Sequence, residues 1–183
     1  MLKNLIKNEK ELPFTKRILA GALAVLSALV LPEIFHILGI ISGLGSSLGE
    51  IFLPMHLPII LAGFLIGPYV GAVSGAIAPL VSFLVSGMPS VVLLPFMVIE
   101  LTFYGLVAGL LKEKKMNSFL GLTLVQIGGR AARAVAILVA VYIIGFGGIN
   151  PAIIYTSIAK GLFGILLQWV VIPLTLYRIK NKS

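Results

Sequence analysis

Apolar residues run along this chain in long windows that are closed by charged residues or by Gly/Pro breaks. A hydrocarbon core of about 30 Å is crossed by roughly 20 helical residues, and windows of that order recur from one end of the sequence to the other. Read from these breaks, the pattern predicts helices near 17–38, 51–67, 69–86, 90–111, 118–146 and 152–177. Only "GPYVG" separates the second window from the third. Together they run over 51–86, nearly twice a bilayer, so two spans joined by a tight turn fit better than one kinked helix. Basic residues followed by the apolar run 18–31 give the N-terminus the look of a secretory signal, with cleavage as an alternative. That run leads straight into further spans, which points to a retained first helix.

Composition sharpens this into a membrane protein. Of 183 residues, 59% are hydrophobic and 11% charged, too little polar surface to cover a soluble globule of this size. The expected architecture is an all-α membrane protein, one bundle of six transmembrane helices over 1–183 with no room for a separate soluble domain. Cysteine is absent, which excludes disulfides, Fe–S clusters, thiolate metal sites and cysteine nucleophiles together.

Charge then orients the bundle. Lys3, Lys7, Lys10, Lys16 and Arg17 precede the first predicted helix, Lys112, Lys114 and Lys115 follow the fourth, and Arg178, Lys180 and Lys182 follow the sixth. The loops expected on the other side, "GIISGLGSSLGE", "SGMPS" and "GFGGINP", contain no Lys or Arg. Basic residues are in excess in cytoplasmic loops, so both termini are expected in the cytoplasm of a cell-membrane protein. The net charge of +8 is then directed at anionic lipid headgroups and is not a nucleic-acid signal.

Small residues and breakers carry the next layer. Ala20, Ala24 and Ala28 recur every four residues on the first helix, beside Gly21 and Ala22. Such faces let helix backbones approach closely in lipid, and two roles stand open for this one: packing inside the bundle, or docking of a separate membrane subunit. Gly71 and Gly75, and Gly105 and Gly109, repeat the pattern and are expected to pack internally. Pro54, Pro58, Pro79, Pro89 and Pro95 fall at helix starts, in a turn or where they would kink a span. Backbone groups released by a kink must be satisfied by neighbours or water, so these breakers point to a pocket near the outer surface.

Four charged residues, Glu100, Arg130, Arg133 and Lys160, lie inside predicted spans. A charge at mid-depth costs about 2.5–3.5 kcal/mol even on the lenient insertion scale. Gln126, Arg130 and Arg133 share one helical face, as do Glu100 and Tyr104. An ion pair between Glu100 and one arginine accounts for part of the set. Three cations against one carboxylate still leave positive charge over, unless Lys160 is neutral or snorkels to the interface. An excess cation in a wet cavity suits an anion, and arginine offers a carboxylate a planar fork. The expected ligand carries a carboxylate or similar anion, held by Arg133 or Lys160. His36 and His56 flank the first outer loop with Glu33 and Glu50. No tight metal-ligand spacing such as HxxxH occurs, so no metal site is expected. His56 is instead placed at the ligand or at the folded-over loop, with "GIISGLGSSLGE" as a lid. Met88, Asn150 and Tyr155 fall near the same rim.

No GxxxxGK[ST] phosphate loop is present, so ATP hydrolysis by that route is excluded, and no inverted repeat of the secondary-transporter kind is evident. The stretch "FLPMHLPIILAGFLIGPYVGAVSGAIAPLVSFLVSGMP", with "LPFMVIELTFYGLVAGLL" after it and the Ala20/Ala24/Ala28 face before it, resembles the substrate-binding S components of energy-coupling factor (ECF) transporters. The resemblance implies a six-helix subunit that captures a vitamin or cofactor precursor from outside. It also implies work with a transmembrane T component and two cytoplasmic ATPases, and no enzymatic activity or cofactor of its own. By the same resemblance, Ala20, Ala24 and Ala28 would dock the T component. Glu100, Arg133, Lys160 and Asn150, with His56, would lie near the ligand, as would Arg130, which shares the helix face of Arg133. A carboxylate such as pantothenate or niacin fits the charge argument, while the "MHLP...SGMP" stretch is also similar to members proposed for cobalamin precursors. Two other classes stand beside this one. A stand-alone ion-coupled transporter could use Glu100 as proton carrier. An intramembrane enzyme would need closely spaced acid and base motifs, and none is seen.

Overall fold

The computed structural model describes residues 12–43, 47–114 and 116–181. Lys3, Lys7, Lys10, Lys115 and Lys182, residues 44–46 of the expected lid, and the side chains of Glu50 and Lys180 lie outside the described residues. Every regular element described is helical. They are α1 (Phe14–Ile41), α2 (Ser47–Phe52), α3 (His56–Leu65), α4 (Pro68–Ser86), α5 (Leu94–Leu111), α6 (Ser118–Leu138, continued by a π-helical turn Val139–Ile143), α7 (Ile153–Lys160) and α8 (Leu162–Asn181). Among the described residues five helices are long and apolar enough to cross a membrane: α1, α4, α5, α6 with its π-turn, and α8.

Two predicted spans are broken. The window 51–67 divides into α2 and α3, and the ten residues of α3 reach only about 15 Å, half a hydrocarbon core. Leu53, in the break, has φ 48°, a region costly for a branched side chain. The window 152–177 breaks at Gly161 into α7 and α8. The two breaks meet, because a Cβ on Gly161 would run into the Leu53 side chain. Part of the expected lid is helical too: α1 continues to Ile41 and α2 begins at Ser47.

Lipid supplies no hydrophobic drive between helices, so they associate by close packing. Glycines provide it here. Gly63 on α3, Gly71 and Gly75 on α4, and Gly105 on α5 leave no room for a Cβ, which would meet the backbone of a facing helix. The central helix α5 is accordingly buried on several sides, by Leu101, Gly105, Ala108 and Gly109 against α3 and α4, and by Glu100 and Tyr104 elsewhere. At its far end Lys112 Nζ donates to the carbonyl of Ile66 at 2.9 Å, tying α5 to the end of α3.

The alanine face of α1 turns inward. Ala28 is fully buried with Met55, Ile59, Ala78 and Leu101, Ala24 is 8% exposed, and Ala20 packs beside Leu12, Ile66 and Val70. Of the two roles open for this face, packing inside the bundle is seen for Ala24 and Ala28, while Ala20 is half-buried. What α1 offers outward is a leucine-rich surface that includes Leu19, Leu23, Leu26 and Val30.

Candidate functional site

The helix ends sort the charges. Lys16, Arg17, Lys112, Lys114 and Arg178 sit at one end of the bundle, where α1 begins and α5 and α8 finish. At the other end the finish of α1, the start of α3 and α5, the finish of α4, the second half of α6 and α7 surround a cleft of about 320 Å³. Small-molecule sites commonly hold about 300–1,000 Å³, so the cleft has room for a small ligand.

Five of the sequence-predicted site residues, His56, Glu100, Arg130, Arg133 and Lys160, line this one cleft. Glu33, His36 and Met88 join them from its rim. The breakers are there as well: Pro54 and Pro89 line the wall, together with Pro32 inside α1. Irregular backbone at membrane depth is tolerated where it is buried in protein or faces a cavity. Leu53, Pro54 and Met55, the whole break between α2 and α3, line the cleft.

At its inner end Glu100, 1% exposed, is the hub. Arg133 Nη1 donates to Glu100 Oε2 at 2.8 Å, and the Tyr104 hydroxyl donates to Oε1 at 3.1 Å. Arg133 on α6 and Tyr104 one turn along α5 thus hold the carboxylate from two directions. His56 stands edge-on to Tyr104, ring centroids 5.2 Å apart, and its Nε2 lies 3.9 Å from Oε1, beyond hydrogen-bond reach. Both ring nitrogens of His56, itself 4% exposed, are buried without a hydrogen-bond partner, as are the Nε atoms of Arg130 and Arg133. Gly129 explains how α6 comes so close to α5, since a Cβ there would collide with the Tyr104 ring. A second void of about 10 Å³, roughly the threshold for one water, shares Glu100, Arg130, Arg133 and Ser157 with the cleft.

Not every expected residue reaches the cleft. Asn150 is exposed and does not line the cleft; its Oδ1 accepts the backbone N–H of Ala152 at 2.9 Å, capping the turn that leads into α7. This is ordinary asparagine turn chemistry. Gln126, one turn before Arg130, points to α8: its Nε2 donates to Gln168 Oε1 at 3.0 Å, and Trp169 Nε1 donates to its Oε1 at 2.8 Å. Beyond Met88, the expectation missed the cleft's thioethers and hydroxyls. Met55 and Met97 line it with Ser82, Ser86, Thr156 and Ser157, residue types without a charge signal to single them out in an apolar sequence. No group of three or more His, Cys, Asp or Glu that could hold a metal ion occurs among the described residues.

What the arrangement offers chemically is recognition. Polarizable methionines adapt to irregular or aromatic shapes, hydroxyls give or accept hydrogen bonds, and the inner end carries two guanidinium groups against one carboxylate. Residues 18–179 match the family model described as ECF transporter, substrate-specific component. No curated relative and no solved structure matches the chain.

Proposed function

The chain belongs to the substrate-specific components of energy-coupling factor transporters, and from that premise we propose that it captures a small water-soluble vitamin or cofactor precursor carrying a carboxylate or similar anion. The single observation behind this reading is the excess cation at the inner end of the cleft, where Arg130 and Arg133 face one carboxylate, Glu100. A pantothenate- or niacin-sized molecule matches a volume of about 320 Å³.

Delivery proceeds in a complex with a transmembrane T component and two cytoplasmic ATPases, partners that the family implies. The composite of α2 and α3 completes a sixth crossing, and both termini lie in the cytoplasm with the basic end of the bundle, in keeping with the excess of Lys and Arg on that side. The cleft then opens outward. A proton-carrying role for Glu100 in a stand-alone transporter finds less support, because its carboxylate is held by Arg133 and Tyr104.

Mass spectrometry of small molecules released from the purified protein tests the reading, with recovery of an anionic vitamin or precursor as the expected result. Uptake of that molecule into liposomes should require the T component and ATPases. Uptake by this chain alone would overturn the proposed division of labour.

A further inference from the structure

The two arginines at the inner end of the cleft stand in different electrical situations. Arg133 spends its charge within the protein, in the 2.8 Å pair with Glu100. Arg130, three residues earlier on the same face of α6, has no carboxylate within ion-pair distance among the described residues, and its buried Nε lacks a hydrogen-bond partner. Arg130 is half-buried, with the rest of its guanidinium open to the cleft, and a planar guanidinium is suited to a carboxylate. Arg130 lines both the cleft and the small void beside it. The second unpartnered group in the same wall is His56, 4% exposed with both ring nitrogens unbonded.

We infer that Arg130 is the anion anchor of this site, that the Glu100–Arg133 pair positions α5 against α6 and leaves Arg130 free for the ligand, and that His56 offers a neighbouring polar group of the ligand a hydrogen bond. This rests on the reading that the cargo is a small anion. It deepens that reading by assigning the charge to one arginine and by requiring a single anionic group at the inner end. The rest of the ligand lies toward Met55 and Met97, where apolar or aromatic surface is matched by thioethers.

Matched probes separate the charge from the shape. Nicotinate and nicotinamide differ in an acid and its amide, and pantothenate and pantothenol in an acid and its alcohol. Binding of all four is measured by calorimetry on the full chain in detergent, alongside mass spectrometry of the co-purified cargo. Wild type is expected to prefer an acid over its neutral counterpart, or to release an anionic cargo. Arg130→Gln should reduce acid binding or cargo retention about ten- to hundredfold, the effect of one hydrogen bond to a charged group, and should leave the neutral counterpart within about threefold of its wild-type affinity. The double variant Glu100→Gln/Arg133→Gln removes the pair without stranding either charge, and it should keep the preference for the acid. The assignment is overturned if Arg130→Gln retains that preference or its anionic cargo while the double variant loses it, which would make Arg133 the anchor. A neutral or cationic cargo in the wild type, or no binding of any probe and no cargo, would instead overturn the anionic reading of the site, and Arg130's role with it.

Discussion

The two sides of α5 are built on opposite plans. Against α3 and α4 it is closed by glycines: Gly63, Gly71, Gly75 and Gly105 bring backbones together so tightly that a single added carbon has nowhere to go. Toward α6 and α7 it carries Glu100 and faces a cleft kept open by arginines, methionines and hydroxyls. Without hydrophobic drive in lipid, the closed side supplies rigidity. The open side can then hold charges in fixed positions, because the helix bearing Glu100 is anchored from behind. Glycines and charges, both unwelcome in an ordinary apolar helix, divide the work on one helix.

The largest test of this contrast attacks the closed side. Gly105→Leu would force α4 and α5 apart and is expected to cost more than about 3 kcal/mol, beyond ordinary overpacking. Size-exclusion chromatography should then show the loss of the monodisperse species. Next comes the hub of the open side. Glu100→Ala leaves Arg133 buried without its partner, at an expected cost of about 3–5 kcal/mol in thermal unfolding. The Glu100→Gln/Arg133→Gln double variant should recover much of that loss. If the single and double variants fall equally, the pair does not hold α5 to α6.

Smaller effects sharpen the boundary between the two sides. Gly129→Ala presses on the Tyr104 ring and should cost about 1–3 kcal/mol. It should also weaken ligand binding, since the Tyr104 hydroxyl is moved off Glu100. The smallest effect is reserved for Asn150→Ala. Loss of an exposed turn cap is worth about 0.5–1 kcal/mol, and ligand affinity should stay within error, because Asn150 is outside the cleft.

Much of this arrangement can be read from the residues themselves. Charged side chains inside apolar windows are costly enough that they must converge on something, and Glu100, Arg130, Arg133 and Lys160 do line a common cleft. Proline and glycine breaks inside a membrane segment need a cavity or a protein partner, and the break at Pro54 faces that cleft. What helical periodicity cannot provide is the choice between neighbours. Spacing puts Gln126, Arg130 and Arg133 on one face, yet only contacts across helices decide that Gln126 goes to α8 and that Arg133 takes the pair with Glu100. A repeat of alanines says that something approaches closely, without saying whether it is a helix of the same chain. Pro54 marks the break that divides one predicted span into α2 and α3, but hydropathy does not locate the positive φ of Leu53 beside it.

The chain contains one tryptophan, and its indole N–H is bonded to Gln126, one helical turn from Arg130. Any ligand that draws on Arg130 and shifts α6 will therefore tug on the sole indole, which does not line the cleft. The protein has its own optical gauge: a change in intrinsic emission on loading, abolished by Gln126→Leu while loading persists, would report the displacement of α6 without any attached dye.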